Sequence, residues 1–379
     1  MQAQQAEIPI LGSYGLPTSF CNSHPSVLLS IRAAGHGNQP RGLTGLSFSA
    51  QPVRGCIVPR RWRRHSQWET AEVPPNDIEM FQPLTGVYEP SGIQQLADGR
   101  FLVVEDEKQH ALSLLRITGD HVSHTALGAQ FWSWGDSDFW NLDDLEGIAA
   151  DRAGNIYAIT SHSRDSDGDE RKSRERLVRF RIEGDKVVDP KVAGSLKRDL
   201  LAAHPELATS AGIRNVKSEG GLNIEALEMS PDQRRLLIGF RSPLLDERAI
   251  VASIENPGAI FDADERPRIG VTLTMLDLGG NGIRSMSWVP SLAGYLVIAG
   301  PVAREQVEFE LWFWRGGSED HPRRVSVAGL SGFKHAEGVS PAVIDGRQCI
   351  IIVTDDGSRD DERFARFLIL QPDQLQIAD

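Results

Sequence analysis

Five short apolar segments of this chain each carry a small polar or ionisable residue in second place. They read Pro90-Ser-Gly-Ile93, Leu145-Glu-Gly-Ile148, Ile224-Glu-Ala-Leu227, Ile283-Arg-Ser-Met286 and Ala336-Glu-Gly-Val339, so the repeated position holds Ser91, Glu146, Glu225, Arg284 and Glu337. Each is followed by a nearly all-aliphatic segment that stops on polar residues. These endings are Glu105-Asp106-Glu107, Ser161-His162 with Arg164 beyond, Phe240-Arg241, Gly300-Pro301 and Asp355-Asp356. If the two sets converge, several carboxylates share one site and cannot all stay ionised uncompensated, because like charges and burial each raise a carboxyl pKa.

Three compensations are open. A calcium ion prefers about six to eight oxygen ligands, and Glu146, Asn223, Glu225, Glu337 and Asp355 could supply them with Asp106 alongside. Arg241 and Arg284 could instead pair with the acids, which makes the ring structural. Or a carboxyl could keep its proton and act as a general acid, with Glu146, Asp106 and His162 as the catalytic groups. His162 is the histidine at the end of a second segment; its plainer reading is a hydrogen-bonded loop residue. Arg241, Arg284 and Arg164 carry planar forks that grip carboxylate or phosphate, and Ser91 adds a hydroxyl, so these four are the substrate-binding candidates for a small anionic ligand.

Other groups carry less. Trp132, Trp134 and Trp140 precede Glu146 and could stack on a flat ligand, although covering a rim against water is the commoner use. Asp165-Ser-Asp-Gly-Asp-Glu170 departs from a calcium loop in the place of its glycine and lacks the closing glutamate, so it reads as a solvated hairpin. There is no nucleophile elbow, zinc-protease helix, phosphate loop, dinucleotide fingerprint or paired Cys-x-x-Cys, and no organic cofactor is expected.

The elements that must position these residues are strands. Leu177-Val-Arg-Phe-Arg-Ile182 alternates as a third strand does, and Val122–Leu127, Val271–Leu276 and Arg324–Ala328 supply fourths. Each unit is a small antiparallel sheet, and five in series predict an all-β chain, a β-propeller of five four-stranded blades, with a sixth only if the leader folds. The fifth unit lacks a fourth strand, and Asp77-Ile-Glu-Met-Phe-Gln82 is placed to supply it and close the ring, which removes an open edge. In each blade the start of the first strand and the end of the second share one face, so the ionisable positions gather at one mouth of the channel.

The chain has 379 residues and a net charge of −12. Residues 1–75 are a disordered or non-native leader, with seven Arg against three acidic residues, and residues 76–379 are a single propeller domain. An acidic domain argues against nucleic acid, and no apolar run reaches the length of a membrane span. Three cysteines make no disulfide framework. The expectation is a cytoplasmic monomer.

Together Ser91-Gly-Ile, Val104-Glu-Asp-Glu107, Asp144-Leu-Glu-Gly147, Ser161-His-Ser-Arg164, Gly221-Leu-Asn-Ile-Glu225, Gly239-Phe-Arg-Ser-Pro243, Asn281-Gly-Ile-Arg284, Ala299-Gly-Pro301 and Asp355-Asp-Gly357 resemble an uncharacterised bacterial family, domain of unknown function 3616. The resemblance implies a propeller and no established activity. The repeated Glu-Gly openings are also similar, more distantly, to those of phytase-like and lactonase-like esterase propellers, where acidic residues hold calcium. The expected function is calcium-assisted hydrolysis of a phosphoester, ester or lactone at the channel mouth. The alternative is a non-enzymatic propeller that binds a small ligand or a protein, with the ring structural.

Overall fold

In a computed structural model the described residues are 80–107, 110–119, 121–128, 138–303 and 308–379. The expected leader, 1–75, lies outside them, as do Trp132 and Trp134. The described chain is a five-bladed β-propeller. Its innermost strands are Pro90–Gln95, Leu145–Ala150, Asn223–Met229, Gly282–Val289 and Ala336–Ile344. Each packs against the innermost strand of the next blade, and the fifth packs back on the first.

Aliphatic faces of neighbouring blades meet in five separate cores. Ile159 and Leu177 of blade 2 pack with Ile224 and Ile238 of blade 3, for example, and Ile93 and Val103 of blade 1 with Ile351 and Val353 of blade 5. Burying one such side chain stabilises the fold by about 1.5–3 kcal/mol. A propeller is therefore held by blade-to-blade contacts all the way round, and the second strands, buried on both faces, read as aliphatic runs for that reason.

Ring closure follows the expected principle through a shorter strand. Gln82–Pro83 pairs antiparallel with Arg366–Leu370 as the outer strand of blade 5, with Gln82 opposite Phe367. Asp77 to Glu79 lie outside the described residues. Blade 4 also gains a fifth strand, Leu375–Ile377, which lies against Arg323–Val327 and shields its edge.

Two helical pieces interrupt the strand series. Helices Leu196–Ala203, Ala208–Ala211 and Val216–Glu219 lie between blades 2 and 3, and Pro257–Asp262 lies within blade 3. Leu196, Leu200 and Leu207 are fully buried in the core between blades 2 and 3, a one-sided apolar spacing that suits helices. No described helix is long and apolar enough to cross a membrane.

Candidate functional site: an acidic channel mouth

Each inner strand begins with a register slip against its neighbour. The slips fall between Pro90 and Gly92, Leu145 and Gly147, Ile224 and Ala226, Ile283 and Ser285, and Ala336 and Gly338. The residue left unpaired in each is Ser91, Glu146, Glu225, Arg284 or Glu337, the five expected ring positions. A bulge re-aims one side chain out of the pleat, and here every blade uses the same device at the same place. Small residues follow because the next inner strand is close. A Cβ on Gly147 would stand 2.7 Å from the backbone nitrogen of Leu227 in blade 3.

Cations in the ring are guanidinium groups. Arg284 Nη1 donates to Glu225 Oε2 at 3.0 Å and to Glu337 Oε1 at 2.9 Å, while its Nη2 donates to the Pro301 carbonyl at 3.2 Å. Arg241 Nη1 donates to Glu225 Oε1 at 3.1 Å, and its Nε to the same Pro301 carbonyl. Asn223 Nδ2 adds a third donor to the Glu225 carboxylate, 2.8 Å from its Oε1. Blades 3, 4 and 5 are thus tied at their inner ends. Phe309 lies on the Arg284 guanidinium, 5.1 Å from ring centroid to Cζ. The expected anion-gripping role of Arg241 and Arg284 meets this arrangement, in which both turn to protein acceptors.

Three carboxyls and two guanidinium groups leave an acid over, and that acid is Glu146. It is partly exposed in the recess and its carboxyl has no hydrogen-bond or ion-pair partner among the described residues. Burial first, and then Glu225, Asp144, Asp106 and Glu337, push its carboxyl well above the usual range. Asp106 is likewise unpaired and pushed up to about 7, by burial and then by Asp144, Glu89 and Asp355, with the Lys217 ammonium pulling the other way. Glu337 is lifted to about 8 by burial against the opposing pull of Arg284. Asp355 is raised to about 6 by desolvation within the mouth and then by Glu89, although its own surface is exposed, which makes it the most hydrated of the group.

Acids at the ends of the second strands divide in two. Glu105 accepts from Ser113 Oγ at 2.8 Å and from the Tyr88 amide at 3.1 Å, Glu107 pairs with Arg359 at 2.7 Å, and Asp356 pairs with Arg366. The carboxyls of their neighbours Asp106 and Asp355, with those of Glu89 and Glu146, make no such bond among the described residues. Glu89 escaped the sequence reading although it stands one place before the Pro90 opening. Lys217, which comes from the helical insertion, carries no signal in the strand repeat.

Other candidates lie elsewhere. His162 is fully buried with a left-handed backbone (φ 57°), and its Nδ1 donates to the Thr160 carbonyl at 2.8 Å. Burial pushes its pKa down to about 4, so the ring is neutral, and its Nε2 has no partner. The groups that bear on its charge are Thr160, Lys197 and Arg176 and not the mouth acids. Arg164 bonds the Ala211 and Gly168 carbonyls and Glu170, and so anchors the helical insertion to blade 2. Ser91 is half-buried in its bulge and stands apart from the Arg284 network. Asp165 closes its own loop by accepting from the Asp167 and Asp169 amides and from Arg171.

The five residues expected to hold calcium do not form one ligand set. Glu225 and Glu337 turn oxygens to Arg284, and the Asn223 amide nitrogen faces Glu225. Among the described residues no group of three or more His, Cys, Asp or Glu is arranged to hold a metal ion.

Residues 191–366 match the family described as Protein of unknown function (DUF3616). No curated protein matches the sequence. Solved structures of similar shape include a proposed oxidoreductase (glucose dehydrogenase) from Thermus thermophilus, 15% identical, with 76% of this chain and 99% of that one aligned and a TM-score of 0.40. A PQQ-bound aldose sugar dehydrogenase from Streptomyces coelicolor is 14% identical over 76% and 98%, with a TM-score of 0.35. A proposed gluconolactonase is 9% identical over 79% and 94%, with a TM-score of 0.38.

Proposed function

We propose that the channel mouth is a hydrolytic acid–base site for a small ester or lactone, worked by carboxyl groups without a metal. The observation that carries this reading is the set of unpaired carboxyls, Glu146 and Asp106 foremost, beside arginines already engaged with Glu225 and Glu337. Glu146, whose carboxyl burial and neighbouring acids raise well above the usual range, can donate its proton to the carbonyl oxygen under attack. Asp106, poised at about 7, is ionised in half or more of the molecules at slightly alkaline pH and can accept the proton of the attacking water. Two carboxyls whose surroundings separate their proton affinities are what such a division of labour requires. The water oxygen bonds to the carbonyl carbon as its proton passes to Asp106; on collapse of the tetrahedral adduct the bond to the leaving oxygen breaks, Asp106 gives its proton to that alkoxide, and the hydroxyl formed from the carbonyl oxygen returns its proton to Glu146.

A phosphoester fits poorly. The free groups are acids that repel phosphate, and the forks of Arg241 and Arg284 are turned to protein acceptors. The glutamate–arginine ring is structural under this reading, as the non-enzymatic alternative also holds, and the two differ only over Glu146 and Asp106.

The test is hydrolysis of uncharged aryl esters and of γ- and δ-lactones between pH 5 and 9 by the wild type, Glu146→Gln and Asp106→Asn. The expected rate rises through about pH 7 and falls again where Glu146 loses its proton, with each variant slowed on the order of 100-fold or more. A wild type inactive on every substrate, or variants as fast as the wild type, would overturn the proposal.

A further inference from the structure

The third and fourth strands of blade 2, Leu177–Glu183 and Lys186–Ala193, hold cations that the channel mouth does not use. Val178 and Phe180 pack into the core shared with blade 1 and Leu177 into the core shared with blade 3, so the alternation of the strand turns Arg179 and Arg181 towards blade 3 as well. Lys191 stands directly opposite Arg179 in the ladder. Like charges so placed destabilise a sheet, and one carboxylate oxygen serves both. Asp262 Oδ1, at the end of the blade 3 helix Pro257–Asp262, accepts from Arg179 Nη2 at 2.5 Å and lies 3.8 Å from Lys191 Nζ. Lys191 Nζ also donates to the Phe261 carbonyl at 2.9 Å. Arg181 has Glu183, two places along its own strand, and both partners are about half exposed, so water and salt screen the pair.

Beside these cations the ladder slips. Arg179 faces Lys191 and Arg181 faces Val188, which leaves Asp189 and Pro190 as a bulge opposite Phe180. A cavity of about 350 Å³ lies there, lined by Asn155, Arg179, Phe180, Arg181, Asp189 and Lys191, and that volume is in the range of small-ligand sites. Three of the six lining residues are cations and one is an acid. The Asp189 carboxyl joins no hydrogen bond or ion pair among the described residues. Asn155 commits its Nδ2 to Asp151 at 2.8 Å, and its Oδ1 accepts no bond among the described residues. Asn155 precedes the second strand of blade 2, Ile156–Thr160, whose other end reaches the mouth, so the cavity and the mouth acids stand at opposite ends of the blade.

We propose that this cavity binds a phosphate monoester of a small polyhydroxy compound, a sugar phosphate by chemical class. The phosphate dianion lies among Arg179, Arg181 and Lys191, whose guanidinium forks and ammonium donate to its oxygens, and it relieves the repulsion of the opposed Arg179 and Lys191. Asp189 repels a bare anion, so the far end of the ligand must bring donors. Sugar hydroxyls supply them to the Asp189 carboxylate and to Asn155 Oδ1.

Thermal melting at pH 7.5 with ribose 5-phosphate, inorganic phosphate, ribose or sodium sulfate at matched ionic strength tests it. A ligand that binds only the folded state raises Tm by about 2 °C at about ten times its Kd in a chain of this size. Ribose 5-phosphate is expected to give that shift, inorganic phosphate to need about 10-fold more for the same effect, and ribose to give none. Lys191→Gln and Arg181→Gln are each expected to weaken ribose 5-phosphate about 10-fold or more. Both side chains are about half exposed, so neither variant should fail to fold. Asp189→Asn removes a repelling charge and should tighten inorganic phosphate. No shift with ribose 5-phosphate, an equal shift with sulfate, or a shift undiminished in both the Lys191 and Arg181 variants overturns the proposal. Equal affinity for inorganic phosphate and ribose 5-phosphate overturns it in favour of the bare ion.

Discussion

Glu228, at the far end of the blade 3 inner strand from the mouth, offers a measurement of buried charge free of the site. It is 8% exposed, and burial pushes its carboxyl from 4.5 up to about 8 against the hydrogen bonds of Ser287 and the backbone of Trp288 and Met229. Each pH unit between folded and unfolded values is worth about 1.36 kcal/mol, so its ionisation costs the fold about 4–5 kcal/mol. Below pH 4.5 both states hold the proton and the full stability is present. As pH rises towards 8 the unfolded chain alone releases it, so stability falls across that window and levels off above. Glu228→Gln keeps the shape and cannot ionise. Urea unfolding of both proteins at each pH from about 5 to 9 should show the variant gaining on the wild type by about 4 kcal/mol. The mouth acids titrate in both proteins and cancel in the difference. Parallel stability curves would refute the reasoning, since they would mean that Glu228 ionises in the folded protein as easily as in the unfolded chain.

Glu225→Gln leaves Arg241 and the buried Arg284 with Glu337 as the remaining carboxylate, and should cost about 3–5 kcal/mol in urea unfolding at about pH 7. Gly147→Ala presses a methyl group on the Leu227 backbone and should lower stability by about 1–3 kcal/mol, whereas Gly154→Ala, whose added Cβ meets nothing, tests the separate cost of its positive φ. His162 should stay neutral in NMR titrations down to about pH 4. Its folded pKa is depressed, so the stability it contributes is present above pH 6.5 and lost as pH falls towards 4, an acid-side slope that His162→Asn should flatten.

The propeller and the inner ring were legible because both repeat. Ser91, Glu146, Glu225, Arg284 and Glu337 occupy one register in five units, and a register that recurs in sequence recurs in space when the units are arranged round an axis. The bulges that aim these residues inward left no separate mark. How the charges are compensated was not legible either, because Arg284 meets Glu225 and Glu337 across 59 and 53 residues of chain and no local pattern chooses between an arginine, a metal and a proton. His162 was hidden for a related reason: its register points to the mouth, but its left-handed backbone and its full burial leave no mark in the sequence. The helical insertion carries its own spacing in Leu196, Leu200 and Leu207, yet so short a helical stretch is outweighed by the strand repeat on either side of it.

One consequence of the ring is that blade order decides where the free proton sits. Blades 2, 3 and 5 contribute glutamates and blade 4 an arginine, while blade 1 contributes only Ser91. Arg284 stands between blades 3 and 5 and can reach the acids of both. Glu146, flanked by Ser91 on one side and by an already engaged Glu225 on the other, has no cation beside it. A carboxyl in that position is driven towards keeping its proton by its neighbours' charge and by the walls of the channel. The same five bulges with the arginine moved to blade 1 would set it between Glu146 and Glu337 and leave Glu225 to Arg241, so the position of the acid follows from which blade lacks a charge and not from any feature of Glu146 itself.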